Sequence, residues 1–256
     1  MRLDSFLFES NFFPSRNKAA ECIRRGEVLV NGKLEKKPSK DVVGNEAFEV
    51  ISSKKFVSLG GYKLDKALTD FALDVSNLTF ADIGASTGGF TDCLLQHGAK
   101  KVYAVDVGEN LLDNSLKSDC RVVAIDKVNA RSLSEQTIGE KVDGVVVDCS
   151  FISLKLIMPA IIKIMKPDGF VIALIKPQFE CEGKGLTKTG LLRDEKSRIK
   201  IVEDISKFAC SLSLVTENAT YAPITDGKNV EYLLKLSFVG KPLTKEQLFD
   251  SIRVLT

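Results

Sequence analysis

Histidine is nearly missing from this chain: among 256 residues there is one, His97. A histidine-based hydrolytic triad or a histidine-rich metal centre therefore has almost nothing to be built from. Long apolar runs are missing too. The longest, FVIALI and LIMPAIIKIM, fall short of the ~18 residues that a membrane span requires. The cysteines at 22, 93, 120, 149, 181 and 210 form no C-x-x-C pair, so they read as reduced thiols packed as small hydrophobes, with neither a zinc site nor a disulfide frame. No metal is expected. The opening MRLDSFLFESNFF carries acids and lacks the basic, apolar and small-residue regions of a secretory leader, which makes a cytoplasmic location the expectation. The net charge is only +2, but residues 1–40 hold nine Lys or Arg against five Asp or Glu, +4, which leaves −2 for the other 216. The basic part is at the front.

With 44% apolar residues the chain can bury a core as one large domain or two unequal ones. Its most informative stretch is TFADIGASTGGF, residues 79–90: a strand, a turn on Gly84, and small residues leading into a helix. Gly84, Gly88 and Gly89 leave no side chain over the turn, so a ligand can lie on the backbone near the next helix N-terminus. A dinucleotide fingerprint would need glycine where Ser86 stands. GASTG also matches a G-x-S-x-G nucleophile elbow, but His97 sits near the end of the following helix, with no place for an acid between them in chain order. A nucleoside pocket for S-adenosylmethionine fits better, because that cofactor carries no phosphate and needs a carboxylate for its ribose. Asp106, at the carboxyl end of KVYAVDVG, supplies one. A generic α/β turn with a capping aspartate stays open at this point.

Residues 1–50 read as their own unit. RLDSFLFESNFF is helical in spacing, SRNKAAECIRRGE resumes a helix that stops at Gly26, and VLVNGK is a strand entering an Asn31-Gly32 turn. Arg2, Arg16, Lys18, Arg24, Arg25, Lys33 and Lys37, with Lys36 and Lys40, are candidates for a cationic face toward a phosphate backbone; solvated surface charge is the plain alternative. RLD, Leu7, SR at 15–16, Ala19, Ile23, G-x-V-x-V-N-G at 26–32 and KPS at 37–39 resemble the S4 RNA-binding domain, which implies recognition of structured RNA.

Residues 51–61 read as a linker, with Gly60-Gly61 as a sharp bend. From Tyr62 to residue 240 the pattern alternates helix and strand, with strands at TFADIGA, KVYAVDVG, RVVAID, VDGVVVD, FVIALIK, LVTENATYAPI and EYLLKLSFVG. The last two are joined by PITDGKN alone, too short for a helix, so the final strand enters antiparallel. Residues 241–256 add a helix packed on this domain, opened by a Thr244–Gln247 capping box.

Asp148 ends VDGVVVD, Lys176 ends FVIALIK, Glu231 opens EYLLKL and Lys63 begins the helix before the first strand. Two amines and two carboxylates at one end of one sheet are costly unless paired. With the glycine turn, these four match the Lys-Asp-Lys-Glu tetrad of FtsJ-type ribose 2'-O-methyltransferases, which the second domain resembles. The whole chain resembles the TlyA family through VSLGGYKLDKAL at 57–68, DIGASTGGFTDCLLQHGA at 82–99, DCSFISL at 148–154, IKPQFE at 175–180 and GLLRD at 190–194. The resemblance implies a Rossmann-like α/β methyltransferase with a seven-stranded sheet and antiparallel last strand, behind a small α+β S4 domain. It further implies transfer of methyl from S-adenosylmethionine to cytidine ribose in ribosomal RNA, on the large subunit before the small, with ribosomal RNA or a subunit as partner. Lys63, Asp148, Lys176 and Glu231 would be catalytic. Asp82, Gly84, Ala85, Ser86, Gly88, Gly89, Phe90, Asp106, Asp126 and Asn129 would hold the cofactor. Two other functions are to be weighed: a cytolysin, since some relatives are called haemolysins, and a ribosome-binding module that does no chemistry.

Overall fold

The computed structural model describes residues 1–24, 26–50, 55–225 and 227–253. It divides into two compact units, Met1–Lys55 and Phe56–Thr256. In the first, helices α1 (Leu3–Glu9) and α2 (Arg16–Arg24) cover a three-stranded antiparallel sheet of β1 (Val28–Val30), β2 (Lys33–Glu35) and β3 (Phe48–Val50), in the order β2-β1-β3. Asn31 and Gly32 both take positive φ, 52° and 73°, which closes the β1–β2 hairpin with the twist that such two-residue turns prefer. Leu3, Leu7, Ala19, Ile23 and Val28 fill the core. Asp4 is buried among them, yet its carboxylate is matched by Arg2 at 2.9 Å and Arg16 at 3.2 Å and also accepts the Ser5 amide. The Arg2 guanidinium first, then Arg16, holds that carboxyl down to about 2 against the cost of burial.

The second unit begins before Tyr62. Phe56 is buried in it, and helix α3 spans Leu59–Asp70. Gly60 and Gly61 therefore lie inside a helix; the bend read from the sequence is not there. Gly61 leaves room for the Phe56 side chain, which a Cβ there would strike, and helix α4 (Gly89–Gln96) approaches α3 so closely that a Cβ on Gly89 would collide with Ser58 Oγ and, at 2.9 Å, with the Gly61 amide.

After β4 (Thr79–Ile83) and α4, the chain runs through β5 (Lys101–Val105), α5 (Asn114–Lys117), β6 (Val122–Ile125), a 3₁₀ turn at Ala130–Ser132, α6 (Glu135–Ile138), β7 (Val142–Val147), α7 (Leu154–Ile164), β8 (Met165–Ile175), α8 (Pro177–Glu180), α9 (Glu195–Ser211), β9 (Val215–Tyr221), β10 (Tyr232–Ser237) and α10 (Lys245–Ile252). The seven strands stand in the order β6-β5-β4-β7-β8-β10-β9. All pairings among the first five are parallel, and β10 slots antiparallel between β8 and β9. The seven strands read from the sequence are all present. β8 starts five residues earlier than its apolar run, because Met165 already pairs with Val142 before a register shift at Gly144. The Thr244–Gln247 capping box opens α10, which buries Leu248 and Ile252 against the sheet's core. Among the described residues no helix is long and apolar enough to cross a membrane.

Gly89→Ala forces a methyl into the α3–α4 contact, where only backbone and Ser58 can yield. Overpacking of this kind costs roughly 1–3 kcal/mol, and the expected result is an unfolding free energy from denaturant titration lowered by that amount with α-helical content unchanged.

Candidate active site and its cofactor cleft

Strand register gathers the functional side chains at one edge. Ile83 pairs with both Val105 and Val147, Val147 with Ala173, and Ile175 with Tyr232. The next residue on each parallel strand, Gly84, Asp106, Asp148 and Lys176, therefore emerges at the carboxyl end of the sheet, where open α/β sheets bind ligands. Because β10 runs the other way, the residue before its first pair, Glu231, arrives at the same edge.

There the four predicted charges form two ion pairs. Lys176 Nζ lies 2.6 Å from Asp148 Oδ1 and donates to Ser150 Oγ at 2.7 Å. Lys63 Nζ, on α3, lies 2.6 Å from Glu231 Oε2. Lys176 is the least exposed of the four, at 10% of its side chain, which is tolerable only because its charge is matched so closely.

Two adjoining cavities share Gly84, Ser86, Asp148 and Ser150. The first, of about 440 Å³, is lined by Val107, Leu111, Val128, Ala130 and Ile152, with Asp106, Asn129 and Phe151. Its apolar walls, with the strand-end carboxylate Asp106 among them, suit a flat nucleobase with an attached ribose. Asp106 is held in place by two backbone amides, Ser86 to Oδ2 and Gly108 to Oδ1, both at 2.8 Å. The second, of about 370 Å³, runs from Asp82, Gly84 and Ala85 past Gly89 and Phe90 to Asp148 and Lys176. Asp82 is fully buried. Its Oδ2 accepts from the Thr91 amide at 2.9 Å and hydroxyl at 2.7 Å, while Oδ1 has no partner among the described residues. Burial first, with the nearby Asp148 carboxylate adding to it, pushes its carboxyl up to about 7. The Cys149 thiol, also at this edge, is pushed up to about 12 by burial and is no nucleophile at neutral pH.

Two of the residues expected to hold a cofactor do not line either cavity. Gly88, with φ of 92°, keeps its space for Leu112 and Leu116, which a Cβ there would strike. Asp126 accepts the Asn110 amide at 2.9 Å and so braces the loop after β5. Gly84 is packed under the Asp148 carbonyl, which a Cβ would meet at 3.0 Å. The glycines of this turn thus answer mainly to packing, while the open backbone is at Ser86, an exposed residue with φ of 50°. Sequence reasoning missed Val107 and Leu111, although exposed apolar residues just past a strand end, 72% and 46% exposed, are the mark of an unfilled wall. It also missed Phe151, 89% exposed at φ of 63°.

A third cleft, of about 800 Å³, opens on the other side of Lys63 and Glu231 and is lined also by Tyr62, Lys66, Gln178, Pro223, Lys228 and Asn229. In the first unit, Arg24, Lys33 and Lys37 are exposed. Arg2 and Arg16 are tethered to Asp4 with about half of each side chain still open, and Lys18 pairs with Glu21 at 3.3 Å. At about 100° per residue, Arg16 and Arg24 lie on one side of α2 and Lys18 is turned away from them. Arg25 lies outside the described residues.

Two family models match: FtsJ-like methyltransferase over residues 56–238 and the S4 domain over 1–47. "Hemolysin A" of Brachyspira hyodysenteriae is 42% identical, over 91% of this chain and 98% of its own length. The "16S/23S rRNA (cytidine-2'-O)-methyltransferase TlyA" of Mycobacterium tuberculosis is 39% identical, over 98% of this chain and 95% of its own length. A solved structure of a Streptococcus thermophilus protein named as a hemolysin superposes with TM-score 0.74 at 35% identity, covering 98% of this chain and 95% of that one.

Asp82 sets a pH dependence. Its folded carboxyl keeps a proton up to about 7, whereas the unfolded group releases it near 3.8. Its contribution to stability is therefore complete below the unfolded value and lost as pH rises through 7. The melting temperature without added ligand should fall between pH 5 and 8 more steeply than that of Asp82→Asn; parallel curves would contradict this. With the fold, the paired edge charges and these matches together, the chain belongs to the TlyA family: an S4 domain joined to an FtsJ-like methyltransferase domain.

Proposed function

We propose that this protein transfers a methyl group from S-adenosylmethionine to the 2'-hydroxyl of a cytidine in ribosomal RNA, with large-subunit RNA the first target and small-subunit RNA the second. The observation that carries the reading is the Lys176–Asp148 pair in the second cavity, which adjoins the nucleoside-shaped cavity and shares Leu59 with the Lys63–Glu231 cleft. The residues fit the cofactor. Val107, Leu111, Val128 and Ile152 would enclose its adenine, Asp106 would accept from its ribose hydroxyls, and the unpartnered Asp82 Oδ1 would meet its ammonium group. That fully buried oxygen is costly until a donor reaches it. When bound, the cofactor supplies a methyl already activated on a sulfonium, so the protein need only orient an oxygen and remove a proton.

Lys176 is the group within reach of that oxygen. The 2.6 Å contact lets Lys176 and Asp148 act as one unit, taking up the hydroxyl proton between them as the oxygen–carbon bond forms. Ser150 fixes the amine from a second direction. Glu231 and Lys63 hold the neighbouring wall, and Phe151 offers an exposed ring on which an unstacked base can lie. The S4 unit, with Arg24, Lys33 and Lys37 exposed, supplies the grip on RNA. The TlyA relative named for cytidine-2'-O-methylation supports the substrate assignment.

The test is transfer of labelled methyl to ribosomal subunits from cells lacking the gene. Lys176→Ala should lower the rate by ~10²–10⁴-fold, the usual weight of acid–base help, while cofactor affinity measured by calorimetry stays within about threefold. Full activity in that variant, or no cofactor binding in the parent protein, would sink the reading.

A further inference from the structure

Gln178 stands two residues past Lys176, on the short helix α8, and its side chain lines the cleft beside Lys63 and Glu231. Its Oε1 is buried and has no hydrogen-bond partner among the described residues. That is an expensive way to leave a carboxamide, since a shielded acceptor forfeits its water without gaining a donor. The other carboxamide in the cleft, Asn229, is fully used: Oδ1 accepts the Leu192 amide at 2.8 Å and Nδ2 donates to the Gly190 carbonyl at 3.0 Å. Asn229 is thus a brace for the loop, and Gln178 is the amide with an unmet need.

The frame around it is stiff. Pro177 fixes the first position of α8, the Phe179 amide donates to the Lys176 carbonyl at 2.9 Å, and Glu180 accepts from Ser153 Oγ at 2.6 Å and the Leu154 amide at 2.8 Å. Phe179 packs on Phe151 with ring centres 4.8 Å apart. The carboxamide can swing about its terminal torsion without disturbing any of these contacts, because such torsions are broad and soft.

We propose that Gln178 is the specificity-determining residue for the target base, its Oε1 accepting a hydrogen bond from the exocyclic amine. This rests on the ribose-methyltransferase reading. The cavity of Lys176 and the cleft of Gln178 share the wall residue Leu59, so a nucleotide with its ribose oxygen at Lys176 can extend its base into that cleft. Cytosine presents an amine at the position where uracil presents a carbonyl oxygen. The first satisfies the carboxamide oxygen; the second sets two acceptors against each other and leaves both unpaired. Discrimination of a base by one well-placed hydrogen-bonding side chain is of the order of 10- to 100-fold.

The experiment uses the full-length protein and ribosomal subunits from cells lacking the gene, carrying the mapped target position as cytidine or as uridine. Methyl transfer is measured as kcat/KM, and cofactor affinity by calorimetry. Wild type should favour cytidine by ~10- to 100-fold. Gln178→Ala should bring the cytidine-to-uridine ratio down toward one, mostly by losing rate on cytidine. Gln178→Glu, which keeps the acceptor and the size, should retain or widen the preference; rescue by an acceptor is what a merely structural residue would not show. An unchanged ratio in Gln178→Ala, or a Glu variant no more selective than Ala while still binding cofactor, overturns the proposal. Should wild type methylate neither RNA, or methylate a base carbon or nitrogen, the underlying reading has failed and the proposal falls with it. That outcome is visible before any variant is made.

Discussion

Lys176 is nine-tenths shielded from water, and the Asp148 carboxylate at 2.6 Å is what makes an ammonium there affordable. Removing either partner strands the other, at a cost of several kcal/mol. The rest of the edge follows the same constraint. Lys63 and Glu231 repeat the arrangement on the next elements, so that four charged groups meet at one edge as two neutral pairs.

Sheet direction and side-chain chemistry are one problem here. Parallel strands deliver their last residues to the ligand edge, and those residues are Asp148 and Lys176. An antiparallel strand delivers its first, and that residue is Glu231. Asp82 shows the opposite solution to a buried carboxyl. It has donors for one oxygen only, and burial pushes it up to about 7 with no cation beside it among the described residues. One site thus contains a carboxylate paired with an amine at 2.6 Å and a carboxyl pushed toward its protonated form by burial.

Much of this was legible in the sequence. Apolar runs closed by Asp106, Asp148 and Lys176 announced strands and their ligand ends together, since a charged residue after six apolar ones has few other places to be. PITDGKN was too short for a crossover helix, which fixed the direction of β10. The glycines were harder. Gly60, Gly61, Gly88 and Gly89 carry punctuation signals, yet two sit inside α3, one begins α4 and one precedes it, and a Cβ on Gly61, Gly88 or Gly89 would meet Phe56, two leucines or the α3 backbone. The cleft holding Gln178 was invisible for another reason: it joins residues 59–66, 178, 189–191 and 223–231, which only the insertion of β10 brings side by side.

That insertion also orders events in time. A chain emerging from its N-terminus can assemble β6-β5-β4-β7-β8 as the strands appear, but β9 touches the sheet only through β10, so the two join at the β8 edge together, β10 against β8 and β9 outside it. The first cavity, lined by residues 83–152, can therefore be complete in a nascent chain whose sheet still ends at β8, whereas the Lys63 ammonium gains its counter-ion among the described residues only when residue 231 has been synthesised and paired. The edge that carries Asp106, Asp148 and Lys176 is thus in place before the second ion pair closes beside it.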